Sequence, residues 1–208
     1  MNSLFFELLQ VSIGNRECLS CSPSANEWMS LYTIAKAQTM IGIAFNGLRR
    51  LPQEQTKALP KSLKMQWLGL VVQIQKRNEI INVRCVELQR RLAGDGIRSC
   101  ILKGQGVAAL YGTDLSLLRQ SGDIDLYVDS NYKGVLEYLL RKNVSYSHWD
   151  YLHVDSKFYE DVEIEMHYKP SVMRNLISNY RFQRFVDLNK EAFFSGYVNV
   201  GGLSLIHI

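Results

Sequence analysis

The sequence has 208 residues and a mass of 23.9 kDa, which suits one domain with an appendage or two small domains. Hydrophobic residues make up 47% of the chain, charged residues 21%, and there are only 4 prolines, which excludes disordered, collagen-like and mucin-like proteins. The net charge of +4 is uneven, because residues 1–100 hold 13 Lys and Arg against 7 Asp and Glu, whereas residues 101–208 hold 11 against 13. The basic half could face nucleic acid or phosphate, but solvated helices explain a charge of this size more simply.

Membrane and secreted proteins are also disfavoured. No uninterrupted apolar stretch approaches the roughly 20 residues that a membrane span needs. The N-terminal segment has no basic flank, carries Glu7 and is not followed by a small-residue cleavage site. We therefore expect a cytoplasmic protein with no membrane partner and with free thiols. The pair Cys18-x-x-Cys21 lacks the second pair or histidine cluster that a zinc site needs.

The N-terminal region, residues 1–95, is predicted to be helical. Ser24 and Glu27 have the spacing of a capping box, so we expect one helix from Ser24 to Leu51, just before a proline. A second helical stretch, either one long helix or two consecutive ones, is expected over 60–96, where two glycines end it.

The remaining part, residues 96–208, has short apolar runs separated by Gly, Asn and Asp, which predicts a small α/β core. Strands are expected over 97–102, 124–128, 146–148, 157–159 and 162–168, and helices over 104–111, 132–141 and 175–189. The predicted fold class is therefore α+β, with a helical N-terminal region followed by a mixed β-sheet flanked by helices and a C-terminal helical segment.

The clearest chemical signal is a pair of aspartates in a predicted strand. Because side chains alternate along a strand, Asp123 and Asp125 point the same way, while Ile124 and Leu126 point into the core. Neighbouring carboxylates repel each other unless a cation lies between them, and Mg²⁺ prefers such oxygens and bridges them to phosphates. The pair predicts a divalent-cation site, although Asp-x-Asp alone is also a common pattern at exposed strand edges.

A glycine-rich turn precedes this pair. The strand that ends at Lys103 runs into Gly104-Gln105-Gly106 and then into a predicted helix. Such a turn offers backbone N–H groups to phosphate, and Lys103 adds a point charge. A lone Gly-x-Gly is an ordinary turn, so its value lies in its position just before the aspartates.

A third segment, Val162–Tyr168, alternates and carries Glu163, Glu165 and His167 on one face. If it lies beside the aspartate strand, Glu165 becomes a third carboxylate that can bind a cation or act as general base for an acceptor hydroxyl. Glu163 competes for this role because it shares the face. We interpret His167 as a structural hydrogen-bonding residue, with substrate binding or orientation of Glu165 as alternatives.

Together the three segments resemble, in order and spacing, the bacterial nucleotidyltransferase-like family of the polymerase-beta superfamily. This is an uncharacterised nucleotidyltransferase family related to the abortive-infection type nucleotidyltransferase toxins. The resemblance covers residues 70–170. Its motifs are Leu102-Lys103-Gly104 followed by Ala108, Ala109, Leu110 and Tyr111, then Arg119-x-Ser121-x-Asp123-Ile-Asp125, then Val162-Glu-Ile-Glu165-Met-His167.

The resemblance implies transfer of a nucleoside monophosphate from a nucleoside triphosphate to a hydroxyl, with Mg²⁺ or Mn²⁺ as cofactor. It assigns catalysis and metal binding to Asp123, Asp125 and Glu165. It assigns nucleotide binding to Lys103, Gly104, Gln105, Gly106, Arg119 and Ser121, and accessory roles to Glu163 and His167. The chain departs from the family at Gln105, where Gly or Ser is common, and it ends at Ile208, sooner than relatives do, so a truncated or trimmed form is expected.

The acceptor is left open between protein side chains, the end of a tRNA and a small hydroxylated molecule, and an antitoxin-like partner is also left open. An alternative is a non-catalytic, nucleotide-binding regulatory module with the same fold, which Gln105 favours and the three carboxylates disfavour. A helical nucleic-acid-binding protein ranks last, because the aromatic residues of the N-terminal helices lie on apolar faces.

Overall fold

The computed structural model describes the backbone of residues 2–195, 197–200 and 203–206, and the side chains of residues 3–112 and 115–195. The chain divides into two compact units. The first comprises residues 1–79 and 111–120, and the second comprises residues 80–110 and 121–208. The domain boundary near residue 95, which was drawn from composition, stays a prediction.

The elements confirm the α+β fold class. The helices are α1 (Asn2–Ser12), α2 (Ala25–Ala37), α3 (Ile41–Arg50), a short 3-10 helix (Gln53–Thr56), α4 (Lys61–Gly94), α5 (Gln105–Ala108), α6 (Thr113–Ser116), α7 (Tyr132–Arg141), α8 (Leu176–Leu188) and α9 (Lys190–Ser195). The strands are β1 (Ser99–Ile101), β2 (Ile124–Val128), β3 (Tyr146–Trp149), β4 (His153–Ser156), β5 (Ile164–His167), β6 (Tyr197–Val200) and β7 (Leu203–Ile206).

The predicted start of α2 and the predicted end of α4 are confirmed. The Ser24 N–H donates to Glu27 Oε2 at 2.8 Å, and the Glu27 N–H donates back to Ser24 Oγ, which completes the capping box. At the end of α4, Gly96 adopts a φ of +77°, and the Ile97 N–H donates to the Leu92 carbonyl at 2.9 Å. This pattern is a Schellman motif, which needs a left-handed residue that glycine supplies without strain.

The single helix predicted up to Leu51 is wrong, because the chain turns between α2 and α3. Thr39 has a φ of 55°, and the Met40 N–H donates to the Ala35 carbonyl at 2.8 Å. This is the same Schellman motif with a threonine in the left-handed position. No glycine stands at this break, and the apolar periodicity continues across it, so the sequence pattern does not show that the helix ends there.

Two glycines let α3 pack closely within the first unit. A Cβ atom on Gly42 would lie 2.2 Å from the Leu118 carbonyl oxygen, and one on Gly47 would lie 2.3 Å from the Leu8 carbonyl oxygen. Nearby, the buried Trp67 indole N–H donates to the Ile41 carbonyl at 2.9 Å. The core of this unit therefore depends on backbone approaching backbone as well as on side-chain packing.

The second unit contains a five-stranded mixed sheet in the order β1-β2-β5-β4-β3. The central strands β2 and β5 are parallel, and every other neighbouring pair in this sheet is antiparallel. The parallel register sets Asp125 opposite Glu165. The strands β6 and β7 form a separate antiparallel pair.

Two predicted elements of this unit are wrong. The strand expected over 157–159 lies earlier, as β4 (His153–Ser156), where Val154 and Ser156 are buried in alternation. The helix expected over 104–111 shrinks to the four residues of α5. The pairing with β5 fixes the position of β4, and that information is not local to the segment.

The two faces of the sheet differ in their covering. One face packs on α4 and α7 through a large apolar cluster. That cluster includes Ile81, Leu88, Leu92, Leu126, Tyr138, Leu139, Ile164 and Met166. On the opposite face, Cys100 and Tyr127 pack against Val186, Phe193 and Phe194 of α8 and α9. Asp125 lies two residues before Tyr127 and so belongs to this second face.

Of the described residues, no helix is long and apolar enough to cross a bilayer.

We expect Gly42→Ala to lower the free energy of unfolding by about 1–3 kcal/mol, because the new methyl group would overlap a backbone carbonyl that cannot move alone. Urea denaturation measures the change. Gly69→Ala is the matched control, since Gly69 is an exposed residue of α4 and a methyl group added there would meet no heavy atom within 4 Å. This control should instead gain about 0.5–1 kcal/mol from helix propensity. Equal effects of the two substitutions would contradict the packing described for α3.

All four cysteines are free, as predicted. Cys18 and Cys21 are exposed, whereas burial raises the pKa of the Cys85 and Cys100 thiols to about 12 each. Since the thiolate is the reactive form, we expect Ellman's reagent to titrate two thiols in the native protein and four in denaturant. A third thiol that reacts quickly under native conditions would show that one buried cysteine is accessible.

Candidate active site

Three carboxylates come together on the second face of the sheet. Asp125 projects from β2 and is 6% exposed, Asp123 immediately precedes that strand, and Glu165 projects from β5 opposite Asp125. One oxygen of each of the three side chains lies within 4.8 Å of the others. Oxygen ligands at such separations can close on one divalent cation with small side-chain movements.

Glu163 does not join this group. It is exposed and lines a small cavity of about 200 Å³ with Lys157 and residues 159–162. Its backbone carbonyl accepts the Ile124 N–H at 2.9 Å. The sequence left Glu163 and Glu165 as competitors because they share a strand face. The parallel register brings only Glu165 beside Asp125.

Two positive or polar groups compensate the buried charge of Asp125. Its Oδ1 lies 2.6 Å from Lys103 Nζ and 3.1 Å from His167 Nε2. Burial raises the pKa of Asp125, but the hydrogen bonds from His167 and Lys103 outweigh it and hold the pKa at about 2. The carboxylate is therefore charged at any ordinary pH and is kept ready to accept a cation.

Glu165 has the opposite electrostatic situation. Burial first, and then the negative charge of Asp125, raise its pKa above the usual value. Its Oε2 lies 3.2 Å from His167 Nε2, so this imidazole stands between the two carboxylates. His167 is 4% exposed at its side chain, and its role stays a prediction.

The glycine turn lies at the end of β1. Gly104 has a φ of 51° and a ψ of −109°, a conformation that side-chain-bearing residues rarely adopt. Lys103, on the solvent side of the turn, is 60% exposed at its side chain. Gly106 is buried within α5, which at four residues is too short to bring a strong helix dipole to phosphate. Any phosphate contact here therefore depends on local backbone groups and on Lys103.

Gln105 and Ser121 contact each other. The Ser121 hydroxyl donates to Gln105 Oε1 at 2.8 Å, and Gln105 Nε2 donates to Asn82 Oδ1 at 2.7 Å. Gln105 is 3% exposed, so its amide is used inside the protein, where it joins the glycine turn to the segment that leads into β2. Sequence reasoning missed Asn82, although an asparagine among the apolar residues of a helix is a signal that such a bond is needed.

Arg119 belongs to the first unit. Its carbonyl oxygen accepts a hydrogen bond from Asn78 Nδ2 at 2.6 Å. The phosphate contact predicted for Arg119 stays a prediction.

Two further residues of this face were missed by the sequence analysis. His153 and Asp155 project from β4 beside β5, and His153 Nε2 lies 4.0 Å from Glu165 Oε2. The sequence predicts this strand over 157–159, about four residues too late. For that reason the alternation of these two polar residues with the buried Val154 and Ser156 was not recognised.

No curated protein matches the chain. Among solved structures, it is similar to an antigenic nucleotidyltransferase-like protein from Paracoccidioides brasiliensis, with 15% identity and a TM-score of 0.39. The similarity covers 60% of this chain and 58% of that one, so it spans less than two thirds of that protein's length.

A family model described as uncharacterised nucleotidyltransferase matches residues 24–198. This range includes the glycine turn, all three carboxylates and most of the helical N-terminal region. Because the match covers most of the sequence, the chain belongs to the family of uncharacterised nucleotidyltransferases.

Proposed function

We propose that the protein transfers a nucleoside monophosphate from a nucleoside triphosphate to a hydroxyl acceptor at the site formed by Asp123, Asp125 and Glu165. The observation that carries this proposal is the convergence of the three carboxylates, from two parallel strands, on one face of the sheet. Membership of a nucleotidyltransferase family supports the same reaction class. The glycine turn begins directly after Lys103, whose ammonium contacts Asp125, so it lies beside the carboxylates, where it would bind the phosphates.

The donor set fits Mg²⁺ or Mn²⁺, because three carboxylates offer the hard oxygen ligands that these cations prefer. Burial, and then the negative charge of Asp125, raise the pKa of Glu165, and a bound divalent cation would relieve the repulsion between the two carboxylates. When bound, the cation neutralises the phosphates and the departing pyrophosphate.

The residues of the chain would then act as follows. Asp123 and Asp125 hold the cation, and Lys103, whose side chain is largely exposed, binds the triphosphate from the solvent side. The acceptor oxygen forms a bond to the α-phosphorus while the bond from that phosphorus to the β-phosphate oxygen breaks and pyrophosphate leaves. Glu165, the third carboxylate, takes the hydroxyl proton as general base.

Protein, tRNA and small-molecule acceptors each remain predictions, as do an antitoxin-like partner, the relation to abortive-infection toxins and a cytoplasmic location.

The regulatory alternative gains no support from Gln105. Its side chain is buried and bonded to Asn82 and Ser121, so the departure at this position concerns the fold of the turn. No charged group is lost by it.

Glu165→Gln should weaken Mn²⁺ binding at least about tenfold, because it removes one of three anionic ligands. Isothermal titration calorimetry with Mn²⁺ alone measures this. Glu163→Gln is the matched control, since it makes the same change two residues away on an exposed side chain outside the carboxylate group, and its Mn²⁺ affinity should equal that of the wild type. Equal losses in both variants would contradict the assignment of Glu165.

Transfer itself is tested with the four α-³²P-labelled nucleoside triphosphates, with Mg²⁺ or Mn²⁺, offered to the protein alone, to bulk tRNA and to cell extract. We expect label to move to one acceptor class and to fall by about 100-fold or more in Asp125→Asn, because the charge that the reaction needs is lost. Asp161→Asn, an exposed aspartate paired with Arg84, is the control and should retain transfer.

The outcomes separate the candidate functions. Cation-dependent nucleotide binding without any transfer would favour the regulatory module. Absence of both binding and transfer would mean that the carboxylate group is structural, which would overturn the proposal.

A further inference from the structure

Two histidines and two carboxylates face one another across β4 and β5. The antiparallel register sets His153 opposite His167 and Asp155 opposite Glu165. Because directly paired residues of neighbouring strands point to the same face, all four side chains project from the face that carries Asp125. The histidine cluster, by which we mean His153, Asp155, Glu165 and His167, therefore adjoins the proposed active site and shares Glu165 with it.

The Nε2 atoms of both histidines point toward the shared glutamate. His167 Nε2 lies 3.2 Å from Glu165 Oε2, and His153 Nε2 lies 4.0 Å from the same oxygen and 3.1 Å from Asp155 Oδ1. Ligands of a tetrahedral cation with bonds of about 2.1 Å are separated by about 3.4 Å. These separations lie close to this value, and the ligand atoms of His153, Glu165 and His167 all lie within 4.8 Å of one another, so small side-chain movements would close the cluster on a cation.

The hydrogen bonding of the imidazoles is incomplete. Nδ1 of His153 and Nδ1 of His167 are buried and have no hydrogen-bond partner among the described residues. Each Nδ1 is a different ring atom from the Nε2 that faces Glu165, so a partner at Nδ1 would determine which nitrogen of the ring is free to bind a cation. Asp150 Oδ1 lies 3.6 Å from His153 Nδ1, where a slight approach would let the Nδ1–H donate to it. That bond would fix Nε2 of His153 as the free, ligating nitrogen, as carboxylates do beside metal-bound histidines.

The donor chemistry differs from that of the three carboxylates. Two imidazole nitrogens with one or two carboxylate oxygens suit borderline cations such as Zn²⁺, Mn²⁺ and Co²⁺, whereas Mg²⁺ prefers oxygen alone. Three protein ligands with room for a fourth group are typical of reactive sites rather than structural ones.

We propose that the histidine cluster is a second cation site, selective for a borderline transition metal, with His153, His167 and Glu165 as ligands and Asp155 in reach as a fourth. The inference goes beyond the proposed transfer reaction, because it assigns a different class of cation to a cluster that shares only Glu165 with the three carboxylates, although His167 also contacts Asp125. Metal binding is measured without turnover, so failure of the transfer reaction would leave this proposal standing, and the reverse also holds.

The test is a titration of the metal-free protein with Co²⁺ in excess Mg²⁺, followed by visible absorption. Co²⁺ with four or five ligands that include nitrogen absorbs strongly, whereas octahedral Co²⁺ with oxygen ligands absorbs weakly. We expect strong bands that saturate at one Co²⁺ per chain, that Zn²⁺ abolishes and that further Mg²⁺ leaves unchanged. His153→Gln should weaken Co²⁺ binding by about 100-fold, because it removes a ligand outright.

Three variants make the result specific. His148→Gln removes an exposed histidine whose ring centre lies 6.2 Å from that of His153, and it should leave the bands unchanged. Asp123→Asn should also keep them, since Asp123 belongs only to the carboxylate group. His153→Cys keeps a ligand and should add a sulfur-to-cobalt charge-transfer band, which covers the case in which His153→Gln fails to fold.

Three results would overturn the proposal. One is the absence of strong bands in the wild type, another is their loss on addition of Mg²⁺, and the third is an unchanged spectrum and affinity in His153→Gln.

Discussion

The parallel pairing of β2 with β5, which sets Asp125 opposite Glu165, is the constraint on which the rest of the second unit depends. Like charges in direct cross-strand contact destabilise a sheet, so the pairing persists only with compensation. Lys103 and His167 provide that compensation at Asp125, and the apolar cluster on the opposite face fixes the register. A slip of one residue would turn every buried apolar side chain of β5 toward the charged face.

The parts of the fold that sequence reasoning found are those with a local cause. The capping box at Ser24, strand β2 and helix α7 each follow from a cap or a periodicity that lies within the element itself. The break at Thr39 and the position of β4 lack such a signal. Thr39 takes a left-handed conformation in a turn that glycine usually forms, and β4 takes its position from its pairing with β5.

The candidate site divides in the same way. Asp123, Asp125 and Glu165 could be named from the spacing of carboxylates along two alternating strands, because spacing determines which face each one occupies. The contribution of β4 could not be predicted in this way. Neither His153 nor Asp155 belongs to a sequence motif, and both reach the site only because β4 pairs with β5. Gln105 shows a third case, in which a residue at a predicted phosphate-binding position has its side chain committed to Asn82 and Ser121.

The unequal acidities of Asp125 and Glu165 have a consequence for the way this face of the sheet responds to acid. As the pH falls, Glu165 takes up a proton before Asp125 does, because the pKa of Glu165 is raised and that of Asp125 is held at about 2. The stability that Asp125 contributes is present in full above its unfolded pKa of about 3.9 and is lost only as the pH falls from there toward 2. The repulsion between the two paired carboxylates therefore disappears first, while the ion pair between Lys103 and Asp125 persists to lower pH.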